Sequence, residues 1–127
     1  MLKVVTLLST NRQPKRGEIW MVDFDPSKGS EIEKARNALV ISSDSVGVLP
    51  LKLVAPITTW NESFKGKLWL VEIAPDANNG LKGLSAVDTL QIRSADVKRR
   101  FLHRIGRVSA DKMEEITAAI AIVLEYQ

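Results

Sequence analysis

Arg16-Gly17-Glu18-Ile19-Trp20-Met21-Val22-Asp23-Phe24-Asp25-Pro26 is the stretch whose reading decides the fold class. From Glu18 to Asp25 the side chains alternate: Trp20, Val22 and Phe24 fall on one side of an extended chain, and Asp23 and Asp25 on the other. That period of two is the pattern of a β-strand with one buried face. Pro26-Ser27-Lys28-Gly29-Ser30 then breaks the run with turn-forming residues. Working outward, further short β-like segments follow at Ala38–Ile41, Leu51–Thr58, Lys67–Ile73, Ser85–Ile92 and Arg104–Val108. The Ser42–Pro50 loop joins two of them, and Asn78-Asn79-Gly80 marks a tight turn between two others. In Lys67–Ile73 the alternation predicts Leu68, Leu70 and Val71 against apolar surroundings. Short strands at this spacing predict a mainly β fold, a small closed antiparallel barrel. The end of the chain has a different period. Ser109 is a good N-cap with Asp111 in the first turn, and Met113, Ile116, Ile120, Val123 and Leu124 recur at helical spacing. This predicts a C-terminal amphipathic helix packed on the barrel.

A chain of 127 residues is enough for one core and not two. The expected organisation is a single domain over residues 16–127, preceded by an extension or edge strand over residues 1–15. No apolar run approaches the roughly 18 residues of a membrane span, and the apolar start is too short for a secretory signal. A cytoplasmic protein is expected. There is no cysteine, which excludes disulfides, thiolate metal sites and a catalytic thiol, and His103 is the only histidine. A two-histidine acid–base pair within one chain is therefore excluded, and neither a metal nor another cofactor is expected. The chemistry falls to carboxylates, arginines, lysines and hydroxyls. Between Arg93 and Arg107 six basic residues stand against one acid, Asp96, so this stretch carries +5 of a formal net charge of +3 and the rest of the chain −2. Such clustering has the electrostatic form of a polyanion-binding surface, or of a solvated charged turn.

The segment Lys28-Gly29-Ser30-Glu31-Ile32-Glu33-Lys34-Ala35-Arg36 is too polar for core and joins two strands. Loops held on a rigid barrel commonly carry function. Gly29 allows close approach of a ligand, Glu31 can accept a proton, and Arg36 can grip a phosphate through its bidentate fork. The same composition also suits an ordinary solvated loop. Asp23 and Asp25 suit the end of a strand and the start of a turn better than a metal pair. Trp60 offers a face for base stacking, a lid or a dimer contact. Trp69 reads as core or as part of a partner groove, His103 as structural, and Arg93 as a phosphate or dimer contact.

Taken together and in order, these segments resemble the MazF/PemK family of toxins. The similarity runs from Arg16–Pro26 through Gly29-Ser30-Glu31 and Arg36, then Ala38–Ser43, Val54-Ala55-Pro56-Ile57-Thr58-Thr59, Ser85–Asp96 with Gln91-Ile92-Arg93, and Ile105-Gly106-Arg107-Val108 before the helix. The resemblance implies a homodimeric Src-homology-type (SH3-like) barrel shared with the CcdB gyrase poisons. It implies a toxin endoribonuclease that cuts single-stranded messenger RNA without metal, inhibits growth, and is neutralised by a cognate acidic antitoxin. Residues matching Arg36 and Thr58 are the family's usual catalytic pair, and the one matching Glu31 is implicated with them. Gly29, Ser30, Lys34, Asn37, Thr59, Trp60, Asp88, Gln91 and Arg93 are then expected to contact substrate. Two departures stand out. The family usually has proline after the catalytic arginine, where this chain has Asn37. Some PemK-type members use an arginine and an aspartate at positions that here hold Asp88 and Leu90, so that second pair is absent and Asp88 is left for a specificity pocket. Two alternatives accompany the ribonuclease reading: a CcdB-like gyrase poison acting through its C-terminal helix, and an inactive RNA-binding relative.

Overall fold

The structure, a computed structural model, describes residues 13–47 and 49–126; the N-terminal extension expected from the sequence lies, up to residue 12, outside them. The alternating run at Glu18 forms β1 (Glu18–Asp23). It is flanked by β2 (Ala35–Val40) and β7 (Phe101–Arg107), both antiparallel to it. β3 (Leu51–Thr59) pairs with β2 on one edge. Along its other edge come β6 (Arg93–Asp96) and then β5 (Ser85–Asp88), which in turn pairs with β4 (Leu70–Ile73). β6 is bonded to β3 and β7 to β1, and residues 97–100 join them with Arg100 N donating to Asp96 O at 2.9 Å. The sheet therefore curls on itself into the small mainly β barrel that the sequence predicts. The chain then enters α1 (Ala110–Val123), where the Ser109 hydroxyl accepts from Lys112 N at 3.1 Å as the expected N-cap.

The sheet is buried on both faces. Ile19, Leu39, Ala55, Ile57, Val71 and Val87 pack with Met113, Ile116 and Ala119 of α1 on one side. Trp20, Val22, Phe24, Ala38, Val40, Val54 and Ala95 form a second cluster on the other. The Trp20 ring meets Phe101 edge-on at 5.8 Å. The sequence pattern predicts one apolar face for β1; the structure fills both, because Ile19 belongs to the opposite set and is fully buried.

Three element readings are corrected. Lys67–Ile73 is a strand only from Leu70, and its inward residues are Val71 and Ile73, while Leu68 is 66% exposed and Trp69 37% exposed. A short 3-10 turn, Glu62–Phe64, precedes it, with the Asn61 side chain accepting from Ser63 N. Ser85–Ile92 is not one strand: β5 stops at Asp88, whose carboxylate accepts from Leu90 N at 3.0 Å, while Thr89 N and Oγ1 both donate to Trp69 O. The stripe of α1 that meets the core is Met113, Ile116 and Ala119 with Ile120 packed beside them as expected, and Leu124 is an exposed C-cap.

The Asn78-Asn79-Gly80 turn forms as expected and is fixed from within. Asn79, 1% exposed, accepts from Asp76 N and Leu81 N and donates to Ala74 O. Gly80 and Gly106 meet here. A Cβ on Gly106 would collide with the Asn79 backbone, and one on Gly80 with the Ile105 carbonyl.

Candidate active site

Arg36 opens β2, opposite Val22 of β1. The β2–β3 ladder pairs Val40 with Val54 and Ala38 with Pro56. The ladder ends at Ala38 and Pro56, but side-chain alternation along each strand puts Arg36 on the face of Ala38 and Thr58 on the face of Pro56, and Thr58 is itself paired with Ala86 of β5. Cross-strand partners share a face. Val22, Arg36, Thr58 and Ala86 therefore lie on one face across four strands, the face that carries Val22 and Val54. Asp88, two residues beyond Ala86, projects from that same face. Arg36 and Thr58 are both half-buried. Arg36 Nε donates to Glu33 O at 2.7 Å. The bond fixes the plane of the guanidinium and leaves its terminal nitrogens as a fork.

The loop between β1 and β2 is held by its own carboxylates. Asp23 accepts from Asp25 N at 3.0 Å, and Asp25 accepts from Lys34 N at 3.0 Å while Phe24 N donates to Lys34 O. Lys34 sits in the left-handed region at φ 68°, a strained conformation that costs about 1 kcal/mol for a residue with a Cβ. The two backbone bonds hold it there. The two aspartates thus have the turn-forming role expected of them. Glu31 Oε1 accepts from Lys28 N at 2.7 Å and Glu31 N donates to Lys28 O, closing a small turn at Gly29 and Ser30. Gly29 adopts φ 57° in open space, and both it and Ser30 are exposed.

Gln91 bridges this loop to β5: its Oε1 accepts from Ile32 N at 2.6 Å and its Nε2 donates to Asp88 Oδ2 at 3.1 Å. Arg93 is turned to the protein, its Nη1 donating to Phe24 O at 3.4 Å and its guanidinium 6.0 Å over the Phe24 ring. Together with Pro26, Lys28, Glu31, Ile32 and Gln91 it lines a cavity of about 520 Å³.

Other expected contacts lie elsewhere. Asn37 shares its face with Leu39 and Ile57, opposite to Arg36, and its buried Oδ1 has no hydrogen-bond partner. Thr59 is exposed at the end of β3. The Trp60 ring meets Phe64 edge-on at 5.7 Å and lines a different cavity, of about 590 Å³, with Leu84 and Ile122 of α1. His103 is exposed on β7. Among the described residues no three His, Asp or Glu side chains gather as metal ligands, and no helix is long and apolar enough to cross a membrane.

The family described as PemK-like, MazF-like toxins of type II toxin–antitoxin systems matches residues 15–124. The chain belongs to this family. Endoribonuclease MazF9 of Mycobacterium tuberculosis is 34% identical over 118 residues, spanning 87% of this chain and 96% of that one. Endoribonuclease toxin ChpB of Escherichia coli is 32% identical over 112 residues, 87% of this chain and 94% of that one. Among solved structures, MazF from Deinococcus radiodurans superposes with a TM-score of 0.71 at 27% identity, covering 88% of this chain and 96% of that one.

Within this MazF/PemK-like chain, sequence reasoning missed the internal use of the basic cluster. Arg93 serves Phe24; Arg100 Nη1 donates to Asp23 O at 2.9 Å and Asp25 O at 2.8 Å; Arg104 pairs with Glu18 at 3.0 Å. Three of its six cations thus hold backbone or a carboxylate. At Glu18 burial opposes the charged form, but hydrogen bonds from Trp20 Nε1, Lys15 N and Arg104 outweigh it and hold the carboxyl below its ordinary value of 4.5. No sequence pattern signals these contacts, because each joins residues distant along the chain or runs to a backbone carbonyl.

Proposed function

We propose that the protein is the toxin of a type II toxin–antitoxin system: a metal-independent, sequence-selective endoribonuclease that cleaves single-stranded messenger RNA in the cytoplasm. The observation that supports this reading is the strand alternation that puts Arg36 of β2 and Thr58 of β3 on one face of the sheet, with the Arg36 guanidinium plane fixed by Glu33 O. The curated relatives named above are endoribonucleases, which supports the same reaction here. The ribose 2′-OH attacks the adjacent phosphorus as its proton passes to the free Glu31 oxygen. The P–O2′ bond forms and the P–O5′ bond breaks, leaving a 2′,3′-cyclic phosphate and a 5′-hydroxyl whose proton comes from water. Charge gathering on the phosphoryl oxygens meets the Arg36 fork and the Thr58 hydroxyl. Gly29, Ser30, Lys34 and the cavity beside Arg93 contact flanking nucleotides. Arginine itself is a poor acid, with a pKa above about 12, so Arg36 acts electrostatically.

A structure of MazE with MazF from Deinococcus radiodurans matches with a TM-score of 0.67 at 26% identity, which supports a protein antitoxin as partner. We read that partner as a small acidic protein and the toxin as a homodimer. Purified protein incubated with a long unstructured RNA in EDTA is expected to cut at a short recurring sequence, leaving cyclic-phosphate ends. Arg36→Ala should lower the rate by about 10²–10³ with the circular dichroism spectrum unchanged. Undiminished cutting by that variant refutes the site, and intact RNA together with inhibited gyrase supports the CcdB-like alternative instead.

A further inference from the structure

Gln91 lies in the turn between β5 and β6, far along the chain from the loop it touches. Its amide has no ambiguity of orientation. The carboxylate of Asp88 can only accept, so it takes the Gln91 Nε2–H at 3.1 Å, and the Gln91 oxygen is thereby aimed at the Ile32 N–H, which can only donate, at 2.6 Å. The other Asp88 oxygen accepts from Leu90 N at 3.0 Å and fixes the turn that carries Gln91. Ile32 is in turn packed on the second core cluster. The result is a relay from β5, the strand that pairs with Thr58, to the backbone one residue after Glu31. Arg93, on the same hairpin, holds the other end of the loop through Phe24 O.

We infer that the Asp88–Gln91 pair is a positioning device rather than a substrate contact: it fixes the Glu31 loop relative to Arg36. The inference rests on the ribonuclease reading for its effect on rate, but not for its effect on the loop. Gln91→Glu keeps an acceptor for Ile32 N yet sets two carboxylates against each other. Asp88→Asn leaves one acceptor oxygen for two donors, so an NH2 group faces either Leu90 N or Gln91 Nε2. The double variant Asp88→Asn with Gln91→Glu reverses the polarity of the bond and remakes the relay, with the introduced carboxylate accepting from Ile32 N.

The test follows amide hydrogen exchange at Ile32 and, separately, kcat and KM on a single-stranded RNA oligonucleotide. Each single variant should exchange the Ile32 amide at least about tenfold faster and lose roughly 10- to 100-fold in kcat, because a displaced general base is no longer in line with the 2′-OH; KM should move far less. The double variant should recover both. Single variants that leave Ile32 protected overturn the relay. A double variant no better than the singles overturns it too, and assigns the pair to substrate contact. Faster exchange with unchanged kcat overturns the positioning role. Variants that show this exchange pattern while wild-type protein leaves RNA uncut overturn the ribonuclease reading and leave the relay standing.

Discussion

In the proposed reaction Glu31 has two jobs, divided between its two oxygens. Oε1 accepts from Lys28 N and closes the turn at the loop tip, while Oε2 is left for the 2′-OH. A substitution can separate them. Glu31→Gln keeps an oxygen for Lys28 N and removes the charged proton acceptor. It should leave loop exchange and stability near those of the wild type and lower kcat by about 10²- to 10⁴-fold, the usual contribution of a general base. A kcat within a few-fold of wild type would confine Glu31 to shaping the loop. Asn37 makes the converse case. It stands where the family usually has proline, and it carries a buried carbonyl oxygen with no partner on the face away from Arg36. Such a group costs about 1–3 kcal/mol. The departure from the family's pattern therefore bears on the stability of β2, on the face opposite Arg36.

At the scale of elements, β1 was legible because the period of two in Glu18–Asp25 is local and its stop is written as Pro26-Ser27-Lys28-Gly29. The helix was legible through Ser109. The end of β5 was not. It is made by the Asp88 carboxylate and by Trp69 O, which lies twenty residues away, with no glycine or proline to announce it. The same limit applies to the site. Residue chemistry alone left Lys28–Arg36 as either functional loop or solvated loop, and resemblance supplied Thr58. That Arg36 and Thr58 share a face follows from the pairing of β2 with β3, a long-range fact that no single segment encodes. Glu18, at the start of β1, gives this scale its prediction. Its side chain is 13% exposed and bonded to Trp20, Lys15 and Arg104. Its folded-state pKa is depressed, so the stability it contributes is present above the unfolded value of 4.5 and is lost as pH falls through the lower folded value. Glu18→Gln should lower unfolding free energy by about 1–2 kcal/mol at neutral pH, and the gap from wild type should close progressively below pH 4.5. A gap constant with pH in denaturant titrations would show that the ionised carboxylate contributes nothing.

Across the whole molecule, the basic stretch that looks continuous in sequence is divided between two ends of the barrel. β1 pairs Glu18 with Arg107 at one end and Val22 with Phe101 at the other, where Asp23 N donates to Arg100 O. Arg36 is opposite Val22, at this second end. Lys98 and Arg99, in the turn before Phe101, therefore lie at the same end of β1 as Arg36, while Arg107 lies a strand's length away beside Gly17. Each phosphate contact on a single strand contributes about −0.7 to the slope of log K against log salt. Replacing Lys98 and Arg99 by alanine should make that slope less negative by about 1.4 and weaken binding of a non-cleavable RNA analogue alike for all sequences, with kcat at saturation unchanged. Arg107→Ala should leave the slope where it was. The opposite pattern, a slope sensitive to Arg107 and indifferent to Lys98 and Arg99, would put the RNA path at the other end of β1, away from Arg36 and Thr58, and the active-site face would then have no substrate over it.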